Sequence, residues 1–165
     1  MRQKLLFLVV VCLFVMTAAP LSAQCTITPG GCGIYPVTPV YDPYCLGNPQ
    51  IGSSFGIVPG GPNWWWASVS NFHLFGLCPV SPWPVPLPNS LSCTGAAVSC
   101  TVGVYPIILL GPVSPSTPNL YFQIPNDPLL LGVTFCYQTV SFVDDPGSTP
   151  PTCWELTRTL RITID

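Results

Sequence analysis

The side chains with the most chemical capacity in this 165-residue chain are few: one histidine, six acidic residues and one suggestively placed serine. Ser54 sits in Gly52–Gly56 as G-x-S-x-G, the pattern of a hydrolase nucleophile elbow. That turn needs a helix immediately after it and an acid, then a histidine, further along the chain. Here Ile57 leads into Val58-Pro59-Gly60-Gly61-Pro62, which cannot continue as a helix, and no acid separates Ser54 from His73. His73 could act as a base elsewhere only if Asp42, Asp127, Asp144 or Asp145 oriented its ring. A lone histidine near a strand end reads more simply as structural. No catalytic residue is assigned, and a small hydrolase is the remotest of the readings. Asn126, Asp127, Asp144 and Asp145 carry oxygens of the kind calcium takes in extracellular modules, yet no complete ligand loop is visible. In Pro125-Asn126-Asp127-Pro128 they suit Asx turns instead. No metal and no other cofactor is expected.

Aromatic chemistry is the richer possibility. Trp64, Trp65 and Trp66 are consecutive. In a strand, Trp64 and Trp66 share one face and Trp65 takes the other. Burying a tryptophan contributes up to roughly 6 kcal/mol before entropy, so Trp64 and Trp66 are expected in the core. Trp65, if its face is solvated, could join Trp83, Tyr41, Tyr44 or Tyr35 in a patch that stacks on sugar rings or anchors a protein.

The elements that hold these groups are stapled. Cys25, Cys32, Cys45, Cys78, Cys93, Cys100, Cys136 and Cys153 remain once Cys12 is set aside in the leader. An even number in an exported chain, with no C-x-x-C pair, reads as a disulfide framework rather than a metal site. Connectivity is open; proximity alone suggests Cys93–Cys100 and Cys136–Cys153.

The leader consists of Arg2 and Lys4, an apolar run from Leu5 to Met16, and a small-residue end at Leu21-Ser22-Ala23. This is a signal peptide with cleavage expected after Ala23. Removing 23 of 165 residues leaves 142, a length suited to a single domain spanning 24–165. Gln24 before Cys25 is not a lipidation signal, and no later run is long enough to span a membrane. Arg158 and Arg161 then face six acidic residues, which excludes a basic footprint for nucleic acid. The expected location is secreted, extracellular or at the cell surface.

Twenty-two prolines and fourteen glycines leave no room for long helices. The runs between them predict strands at Ser53–Val58, Trp64–Phe72, Val98–Tyr105, Asn119–Ile124, Gly132–Val143 and Trp154–Ile164, an all-β antiparallel sandwich with long Pro/Gly-rich loops. From Trp154 onward even positions are apolar and odd ones polar, interrupted at Arg158, which marks a bulge or an edge. In Leu131–Val143 the apolar parity slips after Tyr137, and a bulge near Gln138–Thr139 would explain it. Cys78–Ser90, with five prolines, resembles a polyproline ligand but reads as a rigid tethered loop. Val143–Pro151 reads as a turn.

Ile124-Pro125-Asn126-Asp127-Pro128, then Gly132, Thr134-Phe135, Gln138, Asp145-Pro146-Gly147 and the strand Leu156–Ile164 together resemble a family of small exported bacterial domains. These occur alone or as C-terminal modules of cell-surface proteins. A weaker similarity covers Leu46–Pro62, and in the family the segment corresponding to the tryptophans is a leucine-rich strand. The resemblance implies a β-sandwich without a catalytic role and supplies no functional residues. The chain departs from the family in its extra cysteines, tryptophans and proline-rich loop. The expected function is a non-catalytic structural or adhesive domain outside the cell, with a carbohydrate-binding module as the alternative. The expected partners are polysaccharide or another surface protein, the latter through a free strand edge such as the Arg158 region.

Overall fold

Short apolar runs between prolines can satisfy their backbone groups only by pairing with one another, and they do so antiparallel throughout. The computed structural model describes residues 24–28, 31, 40–62, 68–78, 85–86, 101–114, 119–144 and 152–165. Among these the fold is all-β; the one helical element is a 3-10 turn at Pro128–Leu130. The main sheet runs β1 (Gln24–Thr28), β13 (Thr159–Thr163), β11 (Thr134–Asp144), β6 (Ser68–Leu77), β9 (Tyr105–Val113). β12 (Thr152–Leu156) also pairs with β11, beyond the stretch that β13 occupies. A second sheet orders β10 (Leu120–Gln123), β4 (Ser54–Val58) and β3 (Tyr44–Leu46). Two small ladders pair β2 (Val40–Tyr41) with β5 (Gly61–Pro62), and β7 (Val85–Pro86) with β8 (Thr101–Val102).

β12 and β13 are one strand broken at Thr157–Arg158. Tyr137 lies opposite Leu160, and Val140 opposite Leu156, so three residues on one side face two on the other. The bulge read at Arg158 is therefore present, but none interrupts β11, whose pairing with β6 is continuous from Cys136–Gly76 to Asp144–Ser68. The inserted residue explains both sequence patterns. Trp154 and Leu156 join one cluster, with Leu74, Val104 and Val140; Leu160, Ile162 and Ile164 join the other, with Phe55, Ile57, Phe75 and Tyr137. The even-residue alternation, interrupted only at Arg158, thus feeds opposite faces of the sheet. β11 stays regular, so its apolar residues must change parity, Phe135 and Tyr137 facing one cluster and Val140 the other. The slip in β11 records a change of buried face.

The first cluster draws Phe55, Ile57 and Phe122 from the three-stranded sheet against Phe75, Tyr137, Leu160 and Ile162 of the main sheet. Phe122 sits 5.5 Å from Phe55 and 5.3 Å from Phe75, so the aromatic rings cross between the two sheets. The disulfide Cys25–Cys45 joins β1 to β3 beside them. A second disulfide links Cys78 to Cys136. The expected Cys136–Cys153 pair is therefore wrong: Cys136 is held from the end of its neighbouring strand, while Cys153 is disulfide-bonded elsewhere. Cys32, Cys93 and Cys100, and so the Cys93–Cys100 guess, lie outside the described residues. So do residues 1–23, where the leader is expected, and Trp64–Trp66; the strand expected from Trp64 is seen from Ser68 to Leu77.

The bulge is fastened from every side. Thr157 N donates to Thr139 O at 3.0 Å, and Thr139 N donates to Thr157 Oγ1 at 3.0 Å. Gln138, fully buried, donates Nε2 to Thr157 O (2.7 Å) and Thr101 O (3.1 Å), and its Oε1 accepts from Gly103 N at 2.9 Å. Arg158 N reaches Asp42 Oδ1 at 3.3 Å while its guanidinium pairs with Asp42 Oδ2. Gly31, at φ +80°, lies so close that a Cβ there would stand 2.3 Å from Thr157 O. β1 covers the edge of β13 from Thr159 onward, and Arg158 itself is tied to Asp42.

Replacing Gln138 by Leu would strand the Thr157 carbonyl and the Gly103 amide in the interior, while Thr101 O would keep the Gly31 amide. A loss of about 2–4 kcal/mol in denaturant unfolding is expected, with little change for Leu129→Ala on the exposed 3-10 turn. Opening Cys78–Cys136, whose cysteines are 58 residues apart, should cost about 4 kcal/mol, against about 3 for Cys25–Cys45 with a separation of 20. Unfolding of the two paired-Ala variants measures both.

Candidate functional site

The change of buried face leaves a stretch of β11 whose side chains on the first face are polar. Tyr137, Thr139 and Ser141 follow one another there, opposite Phe75, His73 and Asn71 of β6. Glu155 of β12 stands opposite Ser141. All of these polar residues are buried, His73 with 1% of its surface exposed. The β5 segment lies over this stretch: Gly61 would place a Cβ 3.7 Å from both Asn71 Nδ2 and Ser141 Oγ.

A hydrogen-bonded chain runs through the patch. His73 Nδ1 is 2.7 Å from Tyr137 Oη, which is 2.8 Å from Thr139 Oγ1. Ser141 Oγ donates to Asn71 Oδ1 at 2.8 Å. The His73 and Tyr137 rings stack with centroids 5.8 Å apart. Burial lowers the His73 pKa by disfavouring a buried imidazolium, and it raises that of Tyr137 despite the Thr139 bond. Both groups are therefore neutral at neutral pH. An imidazole that resists protonation and a phenol that resists ionisation form a poor proton relay. They do serve to satisfy polar atoms in a region without an apolar counterpart.

The residues singled out for hydrolysis are not brought together. Ser54 Oγ donates to Gln123 Oε1 at 2.6 Å on the exposed face of the small sheet, and His73 is bonded to Tyr137 on another sheet. Asp42 is engaged by Arg158 and Asp127 Oδ1 accepts from Leu129 N at 2.9 Å, the Asx turn read from the sequence. Asp144 is exposed at the end of β11; Asp145 lies outside the described residues. Among the described residues no three His, Cys, Asp or Glu side chains converge to hold a metal ion. No family model, curated protein or solved structure matches the chain.

The proposed aromatic residues are only partly described. Trp65, Trp83 and Tyr35 lie outside the described residues, and Tyr41 is placed by its backbone in β2. Tyr44 is 55% exposed on β3. The sequence reading passed over Tyr121, 70% exposed on β10. Inward Phe55 and Ile57 alternate with outward Ser54, Gly56 and Val58, and their partners follow: Tyr121 faces Gly56 and Tyr44 faces Val58. The Tyr121 ring lies across Gly56, its Cε1 3.1 Å from where a Cβ would stand. The signal available in the sequence was parity, since Tyr121 is flanked by Leu120 and Phe122, both packed on the core.

Tyr137→Phe removes a hydroxyl that serves two buried partners and should cost about 1–3 kcal/mol of folding stability. The His73 pKa is lower in the folded than in the unfolded chain, where it is near 6.5. The folded protein then binds fewer protons, so stability is flat above about pH 7 and falls as pH drops through about 6.5 toward the lowered folded value. Denaturant unfolding from about pH 8 to about pH 5 should show this loss. A shallower acid loss in His73→Gln isolates the contribution of the histidine.

Proposed function

We propose that this chain is an exported, disulfide-stabilised, non-catalytic β-domain that serves as a structural or adhesive component outside the cell. The observation that carries the reading is the use made of its most reactive side chains. His73 Nδ1 and Tyr137 are bonded to each other inside a buried polar patch, where His73 Nε2 has no hydrogen-bond partner, and every cysteine among the described residues is disulfide-bonded. Disulfides fit an oxidising compartment, and no helix among the described residues is long and apolar enough to cross a membrane. Cleavage after Ala23 would leave β1 whole, because that strand begins at Gln24. The I-P-N-D-P, Gln138 and L-R-I-T-I similarities to exported bacterial surface modules point the same way.

Expression with the leader intact tests this. The expected product lies outside the cytoplasm, starts at Gln24, has no free thiol and resists protease until reduced. Cytoplasmic retention with reduced cysteines would overturn it.

A second reading, carbohydrate binding, is favoured by the exposure of Tyr44 and Tyr121 on the outward face of the three-stranded sheet. The two lie two strands and two residues apart, roughly 12 Å between Cα atoms, with Ser54 and Gln123 beside Tyr121 as polar groups. Sugars stack on such rings and hydrogen-bond to such neighbours. Retention on an insoluble polysaccharide should fall roughly tenfold in Tyr121→Ala if each stacking contact contributes about 1.4 kcal/mol. Equal retention of the native and Tyr44→Ala/Tyr121→Ala proteins would remove this surface from consideration.

A further inference from the structure

β9 is the last strand of the main sheet, and no described strand pairs with its outer edge. Every residue from Tyr105 to Leu110 is exposed, on both faces, including Ile107 at 66% and Leu109 at 61%. Leu77 on the adjoining strand is exposed as well. A long apolar edge of this kind is a template for another strand. Its limits are set by Pro106 and Pro112, which have no N–H to donate. Between them the amides alternate between β6 and the outer edge, so at most three of the five from Ile107 to Gly111 donate outward, and the register with β6 shifts on both sides of Ile108–Leu110.

From this spacing we infer that β9 pairs antiparallel with β9 of a second copy of the chain, around a two-fold axis at Leu109. The proline spacing is self-complementary. The prolines stand three residues on either side of Leu109, so the register with Leu109 opposite Leu109 places each proline against the other copy's proline. Ile108 then faces Leu110, and Ile107 faces Gly111. Any other antiparallel register sets a proline of one copy against an amide-bearing residue of the other and lengthens the unpaired stretch. β9 also carries no charge, so two copies meet without like-charge repulsion. The six exposed apolar side chains of Leu77, Tyr105 and Ile107–Leu110 offer roughly 600 Å² per copy, up to roughly 1,200 Å² in a pair, the lower end for a specific interface. The contact is isologous, so it closes at two chains and consumes the edge instead of propagating.

The pairing supplies a partner for the structural role proposed above and rests on that reading for its purpose, but its test is separate. The oxidised mature protein should shift from one chain to two in sedimentation equilibrium between about 1 and 100 µM. Leu109→Asp sets two carboxylates opposite each other at the axis and should raise the dissociation constant at least roughly tenfold. Leu129→Asp, on the exposed 3-10 turn, should leave it unchanged. Under mild oxidation Leu109→Cys should cross-link to its counterpart, because directly opposed residues lie about 4.5–5.5 Å apart at Cα, within disulfide reach. Ile107→Cys should not, since its counterpart is four residues away along the strand. Unfolding curves establish that each variant is folded. One-chain mass throughout, a dimer indifferent to Leu109→Asp, or equal cross-linking from positions 107 and 109 would each overturn the inference. None of those results would touch export or protease resistance, and failed export would leave the dimer standing.

Discussion

One extra residue at Thr157–Arg158 governs how this chain divides its apolar side chains between two clusters. Without it, Trp154 and Leu156 would point to the same face as Leu160 and Ile162, and one side of the main sheet would lose its anchors. A bulge leaves ladder groups unpaired, which is costly in an interior. Here three are taken up. The Thr157 hydroxyl accepts the Thr139 amide, the Gln138 amide reaches the Thr157 carbonyl, and Asp42 takes the Arg158 amide. Gln138 and Asp42 come from separate parts of the chain, so the bulge forms only when distant segments have assembled. The interaction is a checkpoint on the whole fold.

The same device creates the buried polar patch. Where β12 serves the second cluster, the first face of β11 has no apolar partner, and Thr139, Ser141, Asn71, His73 and Glu155 fill it. Hydrogen bonds satisfy His73 Nδ1, Tyr137 Oη, Ser141 Oγ and Asn71 Oδ1 there, while His73 Nε2 is buried without a hydrogen-bond partner. The members of the patch are the types usually sought as catalytic groups, and their arrangement follows from where the apolar residues run out.

Period-2 alternation made the C-terminal strand and its break at Arg158 legible, because parity survives in sequence whatever face it serves. The slip in β11 was legible as an event, but its cause was not. A parity change reads alike whether the strand itself bulges or the core crosses to its other face, and only pairing with β6 distinguishes them. β9 escaped notice because Pro106, Gly111 and Pro112 read as breakers, although prolines are tolerated on an edge strand. Within the proline-rich loop, Val85–Pro86 pairs with Thr101–Val102 for a similar reason. The Cys136–Cys153 guess failed because it followed sequence distance. Strand pairing brings Cys136 beside Gly76, two residues from Cys78. Tyr121 was hidden by Leu120 and Phe122, whose apolar character masked the alternation.

The scarcity of charge ties these features together. Most sheet proteins guard an edge with lysines or inward-pointing charges. This chain has only four basic residues, two of them before Gln24, and one of the remaining arginines is engaged by Asp42. Proline is then the available guard, and a proline restricts pairing instead of repelling it. Two prolines placed symmetrically about a short apolar run do not abolish an edge; they define how long it is and which register fits. Poverty of charge therefore leaves β9 selective about what it can pair with, and that selectivity favours its own sequence.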